Sequence, residues 1–345
     1  MPGLKNLVVK HFKGMYDKPV DEDIGVQLKC LQDMPRLFSE EDNRALWRNV
    51  TKDELEGVIK ALPKDKSLGP DGWTKDFFAA FFDLVSDDLL QVVEGSRNKG
   101  LVDGALNATV ATLIPKDSKP STFSDFRPIS LCNFVYKVIT KIIANRLKVK
   151  FGECISIQQF EFLKDKLIHD AVGLVQESIH TTKVNRKDGM FLKLDLRKAY
   201  DRVNWNFFCL VLTQIGLDWK MVQWIMGCVG NSTFAVMING SPSTFFRAGR
   251  GLLQGCPLSP LLFLLVVDCL SRMISKAKEE GRFGGFKVAV DCVLSHLFFV
   301  DDIFLLGGGK LAEWRYMKDL LNGFCKASGL SINDKKSCFY HVNTA

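Results

Sequence analysis

The sequence lacks the patterns that mark zinc centres, disulfide scaffolds and membrane spans. Its ten cysteines include no Cys-x-x-Cys pair, and its five histidines form no zinc-binding motif with them. A reduced, intracellular setting is therefore the default expectation. The longest apolar run, from Pro260 to Val267, ends at Asp268. It is much shorter than the roughly 20 residues of a membrane-spanning helix, so we predict a buried helix and no membrane partner.

Two nucleotide-binding signatures and two targeting signals are also absent. The segment 249–255 contains three glycines without the dinucleotide-binding spacing, and Gly307–Lys310 lacks the first glycine and the hydroxyl residue of a phosphate-binding loop. Residues 1–20 contain no continuous apolar stretch of the kind found in secretory signal peptides. No strong basic cluster directs the chain to the nucleus.

Length and charge set broad limits. With 345 residues, 47% of them hydrophobic, the chain can form two or three domains or one large α/β unit with a sizeable core. Lys and Arg number 46 against 39 Asp and Glu, which gives a net charge of +7. This excess is compatible with a polyanionic partner but does not indicate one by itself.

Two segments place acidic residues inside otherwise apolar sequence. Asp301 and Asp302 lie within the run from His296 to Leu306, and Asp195 ends the run 191–195. A buried charge is costly unless it is paired or binds a metal ion. A carboxylate at the end of one strand and two in a hairpin can meet on one surface of a sheet. That arrangement suits two divalent ions about 4 Å apart, which hold the attacking and leaving oxygens in phosphoryl transfer.

Each of these residues also has a structural interpretation. An aspartate pair is common in turns, and Asp195 could cap the helix that follows it. Taken alone, neither motif decides between a metal site and a structural role.

Hydrophobic periodicity and capping residues predict the elements around these aspartates. Thr51 and Glu54 form a capping box, Asn204 is a second candidate N-cap, and Asn239-Gly240 is typical of a two-residue hairpin turn. Residues 1–50 are weakly patterned. We predict helices over 51–62, from 74, over 134–149, over 205–215 and from the end of the loop 249–257 to near 281, with strands over 110–114, 191–195 and 234–238.

A series of sequence elements occurs in the order of reverse transcriptase motifs. Three of them resemble palm motifs, namely Lys193–Val203, Gly251–Pro260 and Phe299–Asp302. The others are Lys66–Gly72, similar to an N-terminal extension, Leu113–Lys116, Phe126–Leu131 and Tyr136-Lys137, similar to the fingers, and Ser328–Ser337, similar to the last palm element. Over about residues 50–345 the chain resembles the reverse transcriptase region of non-LTR (LINE-type) retrotransposons, most closely those of plants.

The resemblance implies a fold and an activity. The fold is the α/β right-hand polymerase fold, with fingers and a palm whose antiparallel sheet is backed by helices and with the thumb largely absent. The domains are a linker-like segment 1–50, a helical N-terminal extension 51–107 and a fingers/palm domain 108–345. The implied activity is that of an RNA-directed DNA polymerase, which extends a DNA primer on an RNA template with deoxynucleoside triphosphates. Two Mg²⁺ ions, or Mn²⁺ as a substitute, would be its cofactors. A nuclear location is suspected from the family alone, and the oligomeric state is not indicated.

The resemblance also assigns roles to acidic residues. Asp195 and Asp301 would bind the ions together with the backbone carbonyl of Leu196, and Asp302 would lie beside them. Such a sparse ligand set suits Mg²⁺, which usually takes one or two carboxylates plus substrate phosphates. Lys336 would protonate the pyrophosphate leaving group, with its neighbour Lys335 as the alternative.

Five further residues are assigned to substrate binding. Lys116 and Arg127 would hold the incoming triphosphate, Arg as a bidentate fork and Lys as a point charge. Tyr200 would crowd the sugar 2′ position and favour deoxynucleotides, although a half-buried core tyrosine is the alternative. Gln254 and Gly255 would lie in the loop that the template strand and nucleotide approach.

Several positions depart from the family pattern. Val300 stands where the family usually has Ala, and Leu253 and Cys256 replace a commonly polar pair in the 249–257 loop. The segment 159–170 resembles a glycine-containing element of the family. In it Glu161 and Asp165 replace two glycines and Lys166 replaces an arginine, which predicts backbone strain and weaker nucleic-acid binding.

These departures leave alternatives open. The chain could be a truncated, partly degenerate relic that keeps the fold and at most binds nucleic acid. An RNA-dependent RNA polymerase is a third candidate, but it predicts Gly in place of Val300, and the Tyr200 position favours deoxynucleotides.

Overall fold

The computed structural model describes residues 2–18, 22–64, 67–160, 167–289 and 292–342. The substituted positions Glu161, Asp165 and Lys166 lie outside these ranges, so the effects expected of them stay predictions. The α-helices are α1 (Pro2–Tyr16), α2 (Ile24–Leu31), α3 (Glu40–Leu46), α4 (Lys52–Ala61), α5 (Lys75–Ala80), α6 (Phe82–Lys99), α7 (Phe134–Cys154), α8 (Ile168–Val184), α9 (Ala199–Arg202), α10 (Trp205–Gln214), α11 (Trp219–Val229), α12 (Ser259–Glu279) and α13 (Leu311–Ser328).

Eleven strands lie within the same described ranges. They are β1 (Ala108–Pro115), β2 (Phe126–Cys132), β3 (Gly189–Asp195), β4 (Thr233–Ile238), β5 (Ser241–Pro242), β6 (Phe246–Arg247), β7 (Phe286–Ala289), β8 (Cys292–Leu294), β9 (His296–Phe299), β10 (Asp302–Gly307) and β11 (Cys338–Val342). None of the described helices is long and apolar enough to cross a membrane.

The chain divides into two compact units. Unit 1 comprises Met1–Val20, Arg36–Val149 and Tyr200–Leu262, and unit 2 comprises Asp21–Pro35, Lys150–Ala199 and Phe263–Ala345. The domain boundaries at 50 and 107 stay predictions.

Unit 1 contains a sheet with strand order β2-β1-β4-β5, and β6 also pairs with β4. β1 and β2 are antiparallel, whereas β1 and β4 are parallel. Helices α7, α10 and α11 supply fully buried apolar side chains to this unit, among them Ile142, Phe208 and Trp224. These side chains belong to the apolar core of unit 1.

Unit 2 contains a four-stranded antiparallel sheet with strand order β11-β3-β10-β9. Phe191, Phe286, Leu297 and Leu306 form a buried cluster beside it, against which Leu174, Val175 and Ile179 of α8 pack. The predicted antiparallel sheet backed by helices is therefore confirmed, and it positions the acidic residues of β3 and β10.

The local predictions are largely confirmed. Thr51 accepts from the Glu54 N–H and caps α4, and Asn204 accepts from the Phe207 N–H and caps α10. The β4–β5 hairpin turns at Asn239 and Gly240 with φ values of 48° and 75°. The apolar run 260–267 lies in α12, and nearly all of its side chains are buried.

The expectation of a linker-like segment over 1–50 is wrong for the described residues. This segment forms α1, α2 and α3, and Val8, Phe12 and Tyr16 of α1 are buried. These three residues recur at a spacing of four, which places them on one helical face. The spacing was present in the sequence, but the lysines and glycines between them weakened the pattern.

Buried His296 predicts a pH-dependent stability. Its Nε2 lies 2.7 Å from Ser271 Oγ and its Nδ1 lies 2.9 Å from Ser295 Oγ. Burial, with a smaller effect of Lys278, lowers the pKa of His296 to about 3. The unfolded chain, with an ordinary histidine pKa, therefore binds a proton that the folded chain does not bind as the pH falls below about 6.5. From pH 7 to pH 5 we expect this residue to lower the free energy of unfolding by about 2 kcal/mol.

Urea unfolding of the wild type and of His296→Gln at pH 7 and pH 5 measures this effect. The variant should lose less stability between the two pH values. An equal loss in both proteins would contradict the assignment.

Candidate active site

Asp195, Asp301 and Asp302 lie at one end of the unit 2 sheet. Asp195 is the last residue of β3, Asp302 is the first of β10, and the two are direct partners in the antiparallel register. Asp301 lies in the turn between β9 and β10, and its carbonyl accepts from the Leu196 N–H at 3.2 Å. Side chains that are paired across strands project from the same face. The structure thus brings Asp195, Leu196, Asp301 and Asp302 together.

The end of β3 is held by the segment 333–337. The side-chain amide of Asn333 donates to Asp195 Oδ1 at 2.8 Å, and the Asn333 N–H donates to the Asp195 carbonyl at 2.8 Å. The Asp195 N–H donates to Ser337 Oγ at 3.2 Å. Asp195 is therefore held by three hydrogen bonds, two to its backbone and one to its carboxylate.

Lys193 compensates the charge of Asp302. Its Nζ lies 3.1 Å from Asp302 Oδ1, with both side chains about one-third exposed at 36% and 34%. Lys193 lies two residues before Asp195 and therefore on the same face of β3. Since the pair is partly exposed, it adds little stability, and the lysine can be displaced from the carboxylate.

The oxygen atoms at this end of the sheet fit a Mg²⁺ site that has few protein ligands. Among the described residues no three His, Cys, Asp or Glu side chains form a metal-binding cluster. Mg²⁺ sites that include substrate phosphates need only one or two carboxylates. Leu196 and Ile332 form an isolated antiparallel β-bridge. Its hydrogen bonds are made by the neighbouring residues: the Arg197 N–H donates to the Ser331 carbonyl, and the Asn333 N–H donates to the Asp195 carbonyl. This bridge therefore does not use the Leu196 carbonyl.

The turn between the two strands contains a strained residue. Val300 has φ 52°, in the left-handed region where a β-branched side chain is an outlier. This conformation costs about 1–2 kcal/mol for an ordinary L-residue. The strain lies directly before Asp301, in the turn that aligns β9 with β10.

Replacing Val300 with glycine should therefore raise the free energy of unfolding by about 1 kcal/mol, because glycine adopts positive φ without strain but loses more chain entropy on folding. Urea denaturation measures the change. Val300→Ala, which keeps a Cβ, is the control and should gain less. A destabilised glycine variant would contradict the strain argument.

Lys116 and Arg127 lie together on the β1–β2 hairpin of unit 1. Arg127 pairs with Ile114, and Lys116 follows two residues later on the same face. Lys116 Nζ donates to the Ser124 carbonyl at 2.7 Å, and both cations are exposed. Two exposed cations on one face can bind a polyphosphate.

Gln254 and Gly255 lie in the loop 249–257 of unit 1. The Gln254 carbonyl accepts from the Ser130 N–H at 2.8 Å, and its side-chain amide donates to Asp201 Oδ1 at 3.0 Å. Gly255 has φ 107°, and a Cβ there would lie 2.9 Å from the Ser130 carbonyl. Only glycine suits this position.

The apolar residues Leu253 and Cys256 of the loop 249–257 occupy interior positions. Leu253 and Cys256 are each 5% exposed. An apolar side chain is suited to such a position, since a polar one would need buried partners.

Tyr200 and Lys336 lie in different units. Tyr200 is a half-buried residue of α9 in unit 1 whose carbonyl accepts from the Leu252 N–H at 2.7 Å. Lys336 is exposed in unit 2, in the turn before β11, and its N–H donates to the Asn333 carbonyl at 3.0 Å. Lys336 is thus next to Ser337, which contacts Asp195.

Sequence reasoning missed Asn333, Ser337 and Asp201 as residues of these sites. Asn333 and Ser337 were present in the segment 328–337 only as parts of a motif, and nothing local shows that they contact Asp195. Asp201 follows Tyr200 directly and is 1% exposed. Its position one residue after a proposed site residue was the available signal.

Comparison with known proteins identifies the class. The family described as "Reverse transcriptase (RNA-dependent DNA polymerase)" matches residues 114–344, a span that contains β3, β9 and β10 with all three aspartates. The chain belongs to this family.

The relatives narrow the class further. The chain is 31% identical over 304 residues to the transposon TX1 uncharacterized 149 kDa protein of Xenopus laevis, covering 87% of this chain and 23% of that protein. It is 28% identical over 293 residues to a Pol polyprotein from the type-1 retrotransposable element R2 of Popillia japonica, covering 84% of this chain and 39% of that protein. It is 24% identical over 221 residues to the RNA-directed DNA polymerase from mobile element jockey of Drosophila melanogaster, covering 62% of this chain and 24% of that protein. The chain is a reverse transcriptase domain related to those of non-LTR retrotransposons and spans less than two-fifths of these relatives. A special affinity to plant elements stays a prediction.

Proposed function

We propose that this chain extends a DNA 3′ end on an RNA template, using deoxynucleoside triphosphates and two Mg²⁺ ions. The observation that carries the proposal is the direct pairing of Asp195 with Asp302 beside the turn that holds Asp301. Mn²⁺ is proposed as a substitute ion, and the nuclear location suspected from the family is proposed as the site of action.

The residues have separable tasks in this proposal. Asp195, Asp301 and the Leu196 carbonyl would hold the ions, which when bound neutralise charge on the phosphates and orient the attacking and leaving oxygens. Asp302, charge-compensated by Lys193 at 3.1 Å, would limit repulsion among the carboxylates. Positioning and charge stabilisation account for most of the catalysis of phosphoryl transfer.

The remaining residues would act on the substrates. Lys116 and Arg127 would bind the triphosphate from the β1–β2 hairpin, and Tyr200 would exclude a ribose 2′-hydroxyl. Gln254 and Gly255 would contact the template and nucleotide, and Lys336 would donate a proton to pyrophosphate. Exposure of Lys116, Arg127 and Lys336 in the structure supports these roles.

Primer extension on a poly(rA)/oligo(dT) hybrid tests the proposal. We expect incorporation of dTTP with Mg²⁺, reduced or altered incorporation with Mn²⁺, and none with EDTA. Incorporation of rUTP should be much weaker, and a preference for rUTP would overturn the role of Tyr200. A folded protein that extends no primer under any of these conditions would instead favour the inactive relic, and retained RNA binding would then define its remaining function.

A further inference from the structure

The loop 249–257, which we name the template loop after its proposed role, is attached to helix α1, and α1 precedes the segment matched to the family. The Gly249 N–H donates to the Tyr16 carbonyl at 2.7 Å, and Arg250 Nε donates to the Met15 carbonyl at 2.9 Å. These carbonyls belong to the last turn of α1, where backbone acceptors have no partner within the helix. The loop thus completes the C-terminus of α1.

The same loop is attached through its backbone to the segment that joins α9 to α10 and to the first residue of α10. The Gly251 N–H donates to the Val203 carbonyl at 2.8 Å, and Trp205 Nε1 donates to the Gly251 carbonyl at 2.7 Å. Gly251 has φ 93°, and a Cβ there would lie 2.7 Å from the Asp201 carbonyl. The backbone of the loop therefore approaches α9 at the position of Asp201.

The buried carboxylate of Asp201 contacts both helix α1 and the template loop. Asp201 is 1% exposed, and its Oδ1 accepts from Tyr16 Oη at 2.9 Å and from Gln254 Nε2 at 3.0 Å. A buried charge is tolerated only when donors compensate it. Burial, together with the negative charge of Asp201, raises the pKa of Tyr16 well above its usual value. The phenol therefore stays protonated and acts as a donor.

The contact with Asp201 fixes the orientation of the Gln254 side chain. A carboxylate accepts hydrogen bonds only, so the amide must present its nitrogen to Asp201 and its oxygen elsewhere. The backbone of Gln254 is fixed independently by the Ser130 N–H. Tyr16 itself is held by stacking on Phe234, with ring centroids 4.7 Å apart and an 18° interplanar angle.

We propose that Tyr16 and Asp201 are positioning residues that orient Gln254 in the template loop for the nascent base pair. Helix α1 then contributes to nucleotide selection. The inference deepens the proposed function and rests on it. Tyr16 and Asp201 act through Gln254 and do not themselves contact substrate.

The first test uses Tyr16→Phe, which removes the hydroxyl and keeps the stacked ring. In primer extension on poly(rA)/oligo(dT), its KM for dTTP should rise about tenfold, the order expected when a hydrogen bond to a charged group is lost, while kcat changes little. Ser96→Ala is the matched control, because it removes a buried hydrogen bond of the same unit, from Trp224 Nε1 at 2.9 Å, away from the loop. The control should leave KM unchanged.

The second test asks whether Tyr16 acts through Gln254. If it does, Tyr16→Phe/Gln254→Ala should have the same KM as Gln254→Ala alone, because the hydroxyl has nothing left to position. Additive effects of the two substitutions, or a Tyr16→Phe variant with the KM of the wild type, would overturn the proposal.

A third measurement separates this inference from the proposed function. If the wild type extends no primer, the proposed polymerase activity fails, yet hydrogen exchange still reports on the loop. Tyr16→Phe should then speed exchange in residues 249–257 by about tenfold relative to the wild type and Ser96→Ala. Unchanged exchange would show that the hydroxyl does not position the loop.

Discussion

Replacing Asp195 with asparagine is expected to slow primer extension by at least about a thousandfold. The substitution removes one negative charge from the ion-binding pair, and loss of a single preorganised charge-stabilising contact already costs a factor of this order. An asparagine at 195 keeps an oxygen that can accept from the Asn333 amide, which now donates to Asp195 Oδ1 at 2.8 Å. The fold should therefore be retained. Single-turnover extension with saturating Mg²⁺ measures the rate.

The other two aspartates give a graded series. Asp301→Asn should match Asp195→Asn, because both carboxylates are assigned to the ions. Asp302→Asn should lose less activity, because this carboxylate is already paired with Lys193 at 3.1 Å. Asp319→Asn, at an exposed position of α13 in the same unit, is the control and should extend at the wild-type rate. If Asp195→Asn kept more than about a tenth of the rate, the two-metal assignment would be wrong.

Local sequence patterns predicted many of the helices, turns and strands around this site. The N-caps Thr51 and Asn204 and the Asn239-Gly240 turn act over two to four residues, so the sequence around them contains all the information needed. The same is true of the strand predicted over 191–195, which ends at Asp195. The sequence also indicated that this carboxylate and the two in the hairpin could meet on one surface of a sheet, but the direct pairing of β3 with β10 was found in the structure.

Long-range contacts could not be predicted in this way. Asn333 lies 138 residues from Asp195, and Tyr16 lies 185 residues from Asp201. No periodicity or cap relates such distant positions, because their proximity depends on how whole elements pack. Helix α1 shows two limits at once: the spacing of Val8, Phe12 and Tyr16 was too weak a pattern to predict a helix, and its contact with the loop 249–257 was not visible in the sequence.

Replacing Arg146 with leucine is expected to lower the free energy of unfolding by about 3–5 kcal/mol. Arg146 of α7 is buried in unit 1 with its side chain 3% exposed, and it forms a bidentate pair with Glu54 of α4 at 2.9 and 2.7 Å. Its Nη1 also donates to the carbonyls of Leu46 and Arg48, each at 2.8 Å. Leucine would leave a largely buried carboxylate and two carbonyls without these donors. Urea denaturation of the folded chain measures the loss.

Arg48→Leu is the matched control, because Arg48 approaches the same Glu54 carboxylate at 3.9 Å but is 67% exposed. It should cost less than about 1 kcal/mol, as exposed ion pairs do. The large effect at Arg146 should arise mainly from the uncompensated charge of Glu54. Adding Glu54→Gln to Arg146→Leu should therefore restore part of the lost stability, although each substitution alone is destabilising. A double variant that is less stable than Arg146→Leu would show instead that the packing of the arginine side chain, and not its charge, holds α4 against α7.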